Sequence, residues 1–469
     1  FFPSFLCSTM VLQKEKDELK VYTMKEVALH NKAEDLWLVV EDLVYDVTKY
    51  VKYHPGGGVI ATWAGRDATD VFRAYHPEFV YKKLPSFLIG RVDPQRTSEY
   101  EKDKQKLYQK VMSSDMLTTD WSFYKPVLIQ PWLFLVASLV CVYSSSNFYI
   151  HMLGSFLMAL FWHQSAWIGH DTLHNSIVPD RRLSHLIGVV YGNLVTGISA
   201  GWWKYTHNMH HCVTNEWDRD PDVTHMPLLA VTEKMFLDAR AKKLGRIESV
   251  LVRYLVPIQH IMYVPYMAFA RFNLYIQSLL FAFTGQVQAM PFQQMNFDKD
   301  IELYEKLGLI GFWAWYIAFL YFSFDTWQRS LAYMFFGHIY MGMLHVQITL
   351  SHWERPMSLP DDEHEWMRVQ VVTSRNVDPG TFNDWYFGGL HYQIEHHLFP
   401  RVPRHNLGRL KQLVVPFCKK WDIPYTSSGF YEAVRDVVVS LSDVAVQVQL
   451  YEERNNLPRS GAFTKKAQE

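Results

Sequence analysis

Residues 147–174 read NFYIHMLGSFLMALFWHQSAWIGHDTLH, an apolar run that ends in a pair of histidines. The apolar part is close to the roughly 20 residues that a helix needs to cross a bilayer. His170 and His174 are four residues apart, so a helix that continues past the apolar run places both imidazoles on one face. This arrangement predicts a metal-binding site at the edge of a membrane.

Two further clusters repeat this spacing. They are His207-Asn-Met-His210-His211 and Gln393-Ile-Glu-His396-His397. With the first pair they hold seven of the chain's 21 histidines. Adjacent imidazoles that lose their water are unfavourable unless something binds them. Zinc usually takes four ligands, whereas this set is larger, and imidazole also suits iron. The clusters therefore favour a centre of two non-haem iron ions.

Length and composition limit the class of protein. A chain of 469 residues is expected to form two or more units. Aromatic residues make up 16% of the chain, which is typical of proteins with membrane interfaces. The net charge is −1 and no basic block stands out, so we expect no nucleic-acid partner. The four cysteines are scattered, which argues against a disulfide framework.

Hydropathy predicts about four membrane spans. The strong apolar runs cover residues 127–144, 147–168, 307–324 and 329–350, and weaker ones cover 183–198 and 251–284. One metal centre requires all three clusters on the same side of the membrane. The 183–198 run is therefore predicted to be interfacial or re-entrant. Lysines before residue 127 favour the cytosol for that side.

The segment before these runs predicts a small mixed domain. Residues 37–40 and 43–47 predict two strands around a turn at Glu41-Asp42. His54 opens a His-Pro-Gly-Gly-Gly loop, and His76 follows 22 residues later. This pattern resembles the haem-binding domain of cytochrome b5. The resemblance implies that His54 and His76 are the two axial ligands of a haem b iron.

A cytochrome b5-like domain ahead of three histidine clusters resembles the front-end desaturases, with Gln393 in place of the usual histidine of the last cluster. These membrane enzymes introduce a double bond towards the carboxyl end of a lipid chain. The resemblance runs from about residue 20 to 425 and implies iron ligands, which are His170, His174, His207, His210, His211, His396 and His397, with Gln393 in the eighth position. The family also uses a histidine after its last span, where His352 stands in this sequence.

Carboxylates near the clusters are candidates for orienting the ligands. An imidazole that binds metal through one nitrogen presents the other N–H to an acceptor, often a carboxylate. Asp171, Asp384 and Glu395 are candidates for this role. His345 and His391 are left outside the predicted site.

The predicted architecture is multi-domain. An α+β cytochrome b5-like haem domain precedes an all-α polytopic membrane domain of about four spans with a cytosolic cap. The predicted bounds are an N-terminal tail (1–19), the haem domain (20–95), a charged linker (96–125), the desaturase domain (126–425) and a C-terminal cytosolic tail (426–469).

The resemblance also implies an activity and its partners. The chain would use O2, two non-haem iron ions and haem b to place a cis or trans double bond near the head end of a fatty acyl chain, as Δ5, Δ6 or Δ8 enzymes do. A flavin reductase of the NADH–cytochrome b5 reductase type would donate electrons. The implied location is the endoplasmic reticulum membrane, with a multi-pass chain whose active site and termini are cytosolic.

Three alternatives remain open at this point. A sphingolipid long-chain-base Δ8 desaturase is similar in the same motifs. A lipid hydroxylase uses related histidine-rich iron sites. A membrane electron carrier with inert clusters would need only the haem domain.

Overall fold

The computed structural model describes residues 18–93, 98–224, 228–237, 251–252, 254–287, 299–357 and 365–454. The described chain divides into two compact units, one ending at Gln109 and the other beginning at Lys110. This division agrees with the expectation of more than one unit.

The first unit contains a five-stranded sheet. Its strands are β1 (Val21–Tyr22), β2 (Asn31–Lys32), β3 (Asp35–Val40), β4 (Leu43–Asp46) and β5 (Leu88–Val92), in the order β1-β5-β4-β3-β2. Only the β1–β5 pair is parallel within this sheet. Glu41 and Asp42 join β3 to β4 with φ values of 54° and 64°. Positive φ at both positions matches the twist of a tight hairpin, so the predicted hairpin is confirmed.

Short helices complete the first unit and carry its two key histidines. They are α1 (Met24–Val27), 3-10 segments at Thr48–Tyr53 and Gly57–Trp63, α2 (Thr69–Tyr75), α3 (Glu78–Tyr81), a 3-10 segment at Leu84–Phe87, and most of α4 (Glu99–Met112). His54 directly follows the first 3-10 segment, and His76 directly follows α2. The positions of both imidazoles are therefore set by the ends of helical segments.

Most of helix α4 packs on the first unit, within the segment that the sequence analysis assigns to a charged linker. The Lys104 ammonium lies 2.7 Å from a carboxylate oxygen of Asp70, and only 5% and 14% of these side chains are exposed. Tyr108 donates a hydrogen bond to the carbonyl of Arg73. Lys104 lies in the charged segment 96–125, and the structure buries it in an ion pair.

The second unit is mostly helical. Its helices are α5 (Trp121–Ser144), α6 (Phe148–Leu173), α7 (Arg181–Val189), α8 (Ala200–Cys212), α9 (Lys234–Leu237), α10 (Gln259–Thr284), α11 (Lys299–Phe322), α12 (Trp327–Met341), α13 (Met343–Thr349), α14 (Trp366–Val372), α15 (Thr381–Tyr386), α16 (Gln393–Leu398), α17 (Leu407–Lys420) and α18 (Phe430–Arg454). A π-helix at Val190–Thr196 continues α7, 3-10 turns lie at Asp115–Leu117, Val256–Ile258 and Arg404–Asn406, and β6 (Asn376–Val377) pairs in parallel with β7 (Ser427–Ser428).

The long helices α5, α6 and α12 pack closely through small residues. The Ser138 hydroxyl donates to the Gly154 carbonyl at 2.7 Å, and the Ser155 hydroxyl donates to the Tyr333 carbonyl at 2.6 Å. On the outside of α5, Leu133 and other large apolar side chains are exposed. An exposed apolar face of this kind is expected where a helix meets lipid.

One described helical stretch, Asp115–Ser144, is by itself long and apolar enough to cross a membrane. It includes the 3-10 turn at Asp115–Leu117 and helix α5. A second crossing passes the same test if residues 181–196 and 200–212, whose axes differ by 110°, are counted together. Such a bend belongs to a broken span or a re-entrant loop. The bent pair of helical segments includes the 183–198 run. The number of four spans stays a prediction.

The buried Lys104–Asp70 pair generates a test of the first unit. Lys104→Ala leaves the Asp70 carboxylate largely buried without this cation, so we expect a loss of about 3 kcal/mol in stability. Hydrogen exchange of the slowest β3 and β4 amides measures it. Lys106→Ala is the matched control, because Lys106 is 72% exposed in its pair with Asp103 and should change stability by less than about 0.5 kcal/mol. Equal effects of the two substitutions would contradict this account.

Candidate metal centres

The first unit holds His54 and His76 with their ring centroids 6.1 Å apart. Nδ1 of His54 lies 3.2 Å from the Gly57 carbonyl, and Nδ1 of His76 lies 3.0 Å from the Phe72 carbonyl. A neutral imidazole that donates from Nδ1 offers Nε2 to a metal. A haem iron with two histidine ligands needs one such nitrogen on each side, so these residues fit a haem.

In the second unit, four separate segments bring the other predicted ligands together. The segments are the end of α6 (His170, His174), α8 (His207, His210, His211), the turn after α13 (His352) and α16 (Gln393, His396, His397). Spacings of three and four residues place the side chains from each helix on one face. All nine predicted side chains therefore meet in one region.

Four of the imidazoles form a first group. They are His170, His174, His207 and His396, and their ligand nitrogens all lie within 4.8 Å of one another. Nε2 of His170, His174 and His396 is buried without a hydrogen-bond partner. Buried polar atoms are normally hydrogen-bonded, so nitrogens that face one another with no such partner fit a shared metal ion. The donor set fits iron.

A second group consists of His210, His352 and His397, again with ligand nitrogens within 4.8 Å. The Gln393 amide nitrogen lies 3.0 Å from Nε2 of His352 and 3.1 Å from Nε2 of His397. Rotation of this amide would present its oxygen to a metal instead. Nδ1 of His352 lies 3.1 Å from the Thr373 carbonyl, so Nε2 is the nitrogen that faces the group.

His211 lies between the two groups. Its ring is stacked 4.1 Å from that of His397 in the second group. The same ring is 4.7 Å from that of His396, and its Nε2 lies 3.1 Å from Nε2 of His207, both in the first group. The groups are therefore adjacent parts of one cluster.

Burial sets the protonation state of these rings. It lowers the pKa of His174, His352, His396 and His397 well below the ordinary value of an imidazole. Neutral imidazole is the form that binds metal. These four rings are therefore ready to bind cations at neutral pH, whereas the carboxylates of Asp220 and Asp222 raise the pKa of His210 to about 9.

Two polar side chains outside the cluster orient two of the candidate ligands. Oδ2 of Asp220 lies 2.8 Å from Nδ1 of His210. Oε1 of Gln370 lies 2.8 Å from Nδ1 of His397. Each acceptor fixes the ring and directs Nε2 towards the second group. Neither role was predicted from the sequence, although Asp220 lies in an acidic run just after the second histidine cluster.

Asp171 is the predicted carboxylate that lies against a ligand. Its Oδ1 is 3.3 Å from Nδ1 of His170, while its Oδ2 accepts hydrogen bonds from Arg404 Nε at 2.5 Å and the Tyr124 hydroxyl at 2.9 Å. Neither Arg404 nor Tyr124 was predicted from the sequence to contact this carboxylate. Through Asp171 they connect the first histidine pair to α5 and to the segment after α16.

The other two predicted carboxylates bond elsewhere. Glu395 accepts hydrogen bonds from the Asn376 amide and the Tyr425 hydroxyl, each at 2.8 Å. Glu395 lies two residues after Gln393, so its side chain leaves α16 on the side away from the ligands. Asp384 lies 2.8 Å from Nε2 of His391. Within the described chain neither His391 nor His345 belongs to either group.

Asp220 provides a test of the second group. Asp220→Asn replaces the acceptor that faces Nδ1 of His210, so we expect about 10- to 100-fold weaker metal binding. Metal titration of the stripped full-length protein measures this. Asp222→Asn is the control, because Asp222 lies farther from the ring at 3.8 Å and is 34% exposed. Equal losses in the two variants would show that general charge, not the close contact, matters.

Two family models match this chain. One, described as fatty acid desaturase, matches residues 146–429. The other, described as cytochrome b5-like heme/steroid binding domain, matches residues 23–93. The cytochrome b5-like match implies haem in the first unit. The desaturase match implies iron in the second unit.

Several relatives are similar over most of the chain. A Delta(8)-fatty-acid desaturase of Helianthus annuus is 34% identical over 94% of this chain and 95% of its own length. Delta(8)-fatty-acid desaturase 2 of Arabidopsis thaliana is 32% identical over 93% and 95%. A Delta 8-(E)-sphingolipid desaturase of Emericella nidulans is 35% identical over 66% and 56%. The chain therefore belongs to the fatty acid desaturase family and carries a cytochrome b5-like domain ahead of its desaturase region.

Proposed function

We propose that the chain is a front-end acyl-lipid desaturase that binds two iron ions at its two histidine groups. The proposal rests on the two histidine groups, which lie next to each other with His211 between them. The same chain also holds a histidine pair of the haem-binding type. The reaction removes two hydrogens from neighbouring lipid carbons. O2 takes these together with two electrons and two protons and leaves as two waters.

The residues of the cluster hold and orient the metals. Iron bound there would supply the activation of O2 that an unactivated methylene requires. The nitrogens of the first group converge from α6, α8 and α16, and Asp220 and Gln370 fix two rings of the second group. Most of the side chains of both groups are buried, which would limit the access of bulk water to a bound metal.

The first unit would deliver the electrons. Haem held by His54 and His76 would supply one-electron transfer. With both histidines holding it, the haem would serve electron transfer and not O2 activation, so the first unit would act as a carrier. We propose a flavin reductase of the NADH–cytochrome b5 reductase type as the donor.

The proposed substrate is a fatty acyl chain, with the new double bond near its head end. The Helianthus and Arabidopsis relatives, whose names specify a Delta(8) fatty-acid reaction, support this position. A sphingolipid long-chain base is the second candidate, favoured by the Emericella relative.

We place the chain in the endoplasmic reticulum membrane as a multi-pass protein, with both termini and the metal cluster on the cytosolic side. Exposed apolar side chains such as Leu133 on α5 and Ile317 on α11 support contact with lipid. Lysines ahead of α5 support the cytosolic assignment.

Lipid profiling in yeast tests the proposed reaction. Cells that express the full chain and are fed polyunsaturated fatty acids should gain a double bond in acyl chains, or else in long-chain bases. His396→Ala should abolish the product because it removes a nitrogen of the first group. His260→Ala, at a half-buried histidine outside both groups, should retain it. A new hydroxyl group in place of the double bond would identify a hydroxylase, and retained function in His396→Ala would favour an electron carrier.

The haem pair is tested separately. His76→Ala should abolish the b5-type absorbance spectrum and lower product formation at least about 10-fold, because one axial ligand is lost. The non-haem iron content should stay unchanged, since His76 lies in the first unit. Full activity without the haem spectrum would show that electrons reach the iron by another route.

A further inference from the structure

The helix that carries the second histidine cluster begins at a sharp break in the chain. The helical segment that ends with the π-helix at Thr196 and helix α8, which starts at Ala200, differ in direction by 110°. Gly197 turns the chain with a φ of 74°. A helix end leaves backbone N–H and C=O groups without partners, and in an apolar surrounding each must find another.

On the α8 side of the break, Glu305 of α11 supplies acceptors. One carboxylate oxygen accepts the Gly201 N–H at 2.6 Å, and the other accepts the Ser199 hydroxyl and the Asn193 amide, both at 2.7 Å. Glu305 is only 3% exposed. Its negative charge therefore lies buried at the positive end of the α8 dipole.

Glu305 also orders the two side chains that cap the neighbouring N–H groups. The Ser199 hydroxyl accepts from Trp202 N–H at 3.0 Å, and the Asn193 carbonyl oxygen accepts from Ala200 N–H at 2.9 Å. The first three backbone N–H groups of α8 therefore all donate either to Glu305 or to a side chain that is hydrogen-bonded to Glu305.

On the other side of the break, Arg271 of α10 supplies a donor. Its Nη2 donates to the Thr196 carbonyl at 2.7 Å, at the negative end of the preceding helix. Its Nε donates to the Tyr275 hydroxyl at 2.6 Å, and its guanidinium carbon lies 4.3 Å from the ring centroid of Trp162. Arg271 is 1% exposed, and these contacts stabilise its buried charge.

We propose that Glu305 and Arg271 are positioning residues for the metal centre. They are oppositely charged caps, contributed by two different helices, on the two ends of one broken segment. Because α8 starts at this break, the caps set the height and rotation at which His207, His210 and His211 enter the two groups. The metal part of this inference rests on the proposed function, whereas the capping part does not.

Full-length variants test the inference with two readouts. Glu305→Gln and Arg271→Met remove each charge at similar volume, and Arg271→Lys restores the positive charge alone. Ser199→Ala is a milder change at the same break, for use if a charge variant does not accumulate. Glu302→Gln, at an exposed position one turn earlier on α11, is the matched control. The readouts are hydrogen exchange of the amides at 199–202 and the ratio of non-haem iron to haem.

We expect exchange at 199–202 to accelerate about 10-fold in Glu305→Gln and Arg271→Met, less in Ser199→Ala, and not in the control. The iron-to-haem ratio should fall by about half or more in the charge variants and recover partly in Arg271→Lys. Faster exchange with an unchanged ratio overturns the positioning role, and unchanged exchange overturns the capping itself. A wild-type protein without non-haem iron would instead overturn the proposed function, and exchange alone would then decide the capping.

Discussion

The second unit depends on keeping a set of imidazoles uncharged, close together and out of water. A buried histidine with an orphaned nitrogen is unfavourable, and the first group contains three of them side by side. A bound cation would give these nitrogens the partner that they lack. The fold therefore has two tasks, which are to bring four distant segments together and to exclude other partners from the inward-facing nitrogens.

The buried carboxylates of Asp171 and Glu395 lie behind the candidate ligands and not among them. Asp171, paired with Arg404, lies behind the first histidine pair, and Glu395 attaches α16 to Asn376 and Tyr425 from its opposite side. In each case a buried carboxylate binds the framework while an imidazole faces inward. Separating these roles lets strong charged contacts fix the backbone without competing for the metal.

Much of the site was predictable because its signals are local. Spacings of three and four residues place side chains on one helix face whatever surrounds the helix, so the clustered histidines could be found before the fold, whereas Gln393 and His352 came from the resemblance to the desaturases. The β3–β4 hairpin was predictable for a similar reason, since its turn is encoded by two adjacent residues.

The partners of these ligands were not predictable, because their contacts join distant positions that share no periodic pattern. Gln370 is 27 residues from His397, and Glu305 is 104 residues from Gly201. The burial of Lys104 was not predictable for a related reason. A lysine in a charged stretch usually faces water, and only the folded first unit places Asp70 beside it.

The two groups are chemically unequal. One offers four imidazoles, whereas the other offers three imidazoles and the carboxamide of Gln393, which is a weaker donor than a neutral ring nitrogen. In the proposed two-iron centre, a metal supply too small to fill both positions would therefore be shared unevenly between them. Maturation of the centre would then have a preferred sequence, and a half-loaded form with the all-histidine position occupied would precede the complete one.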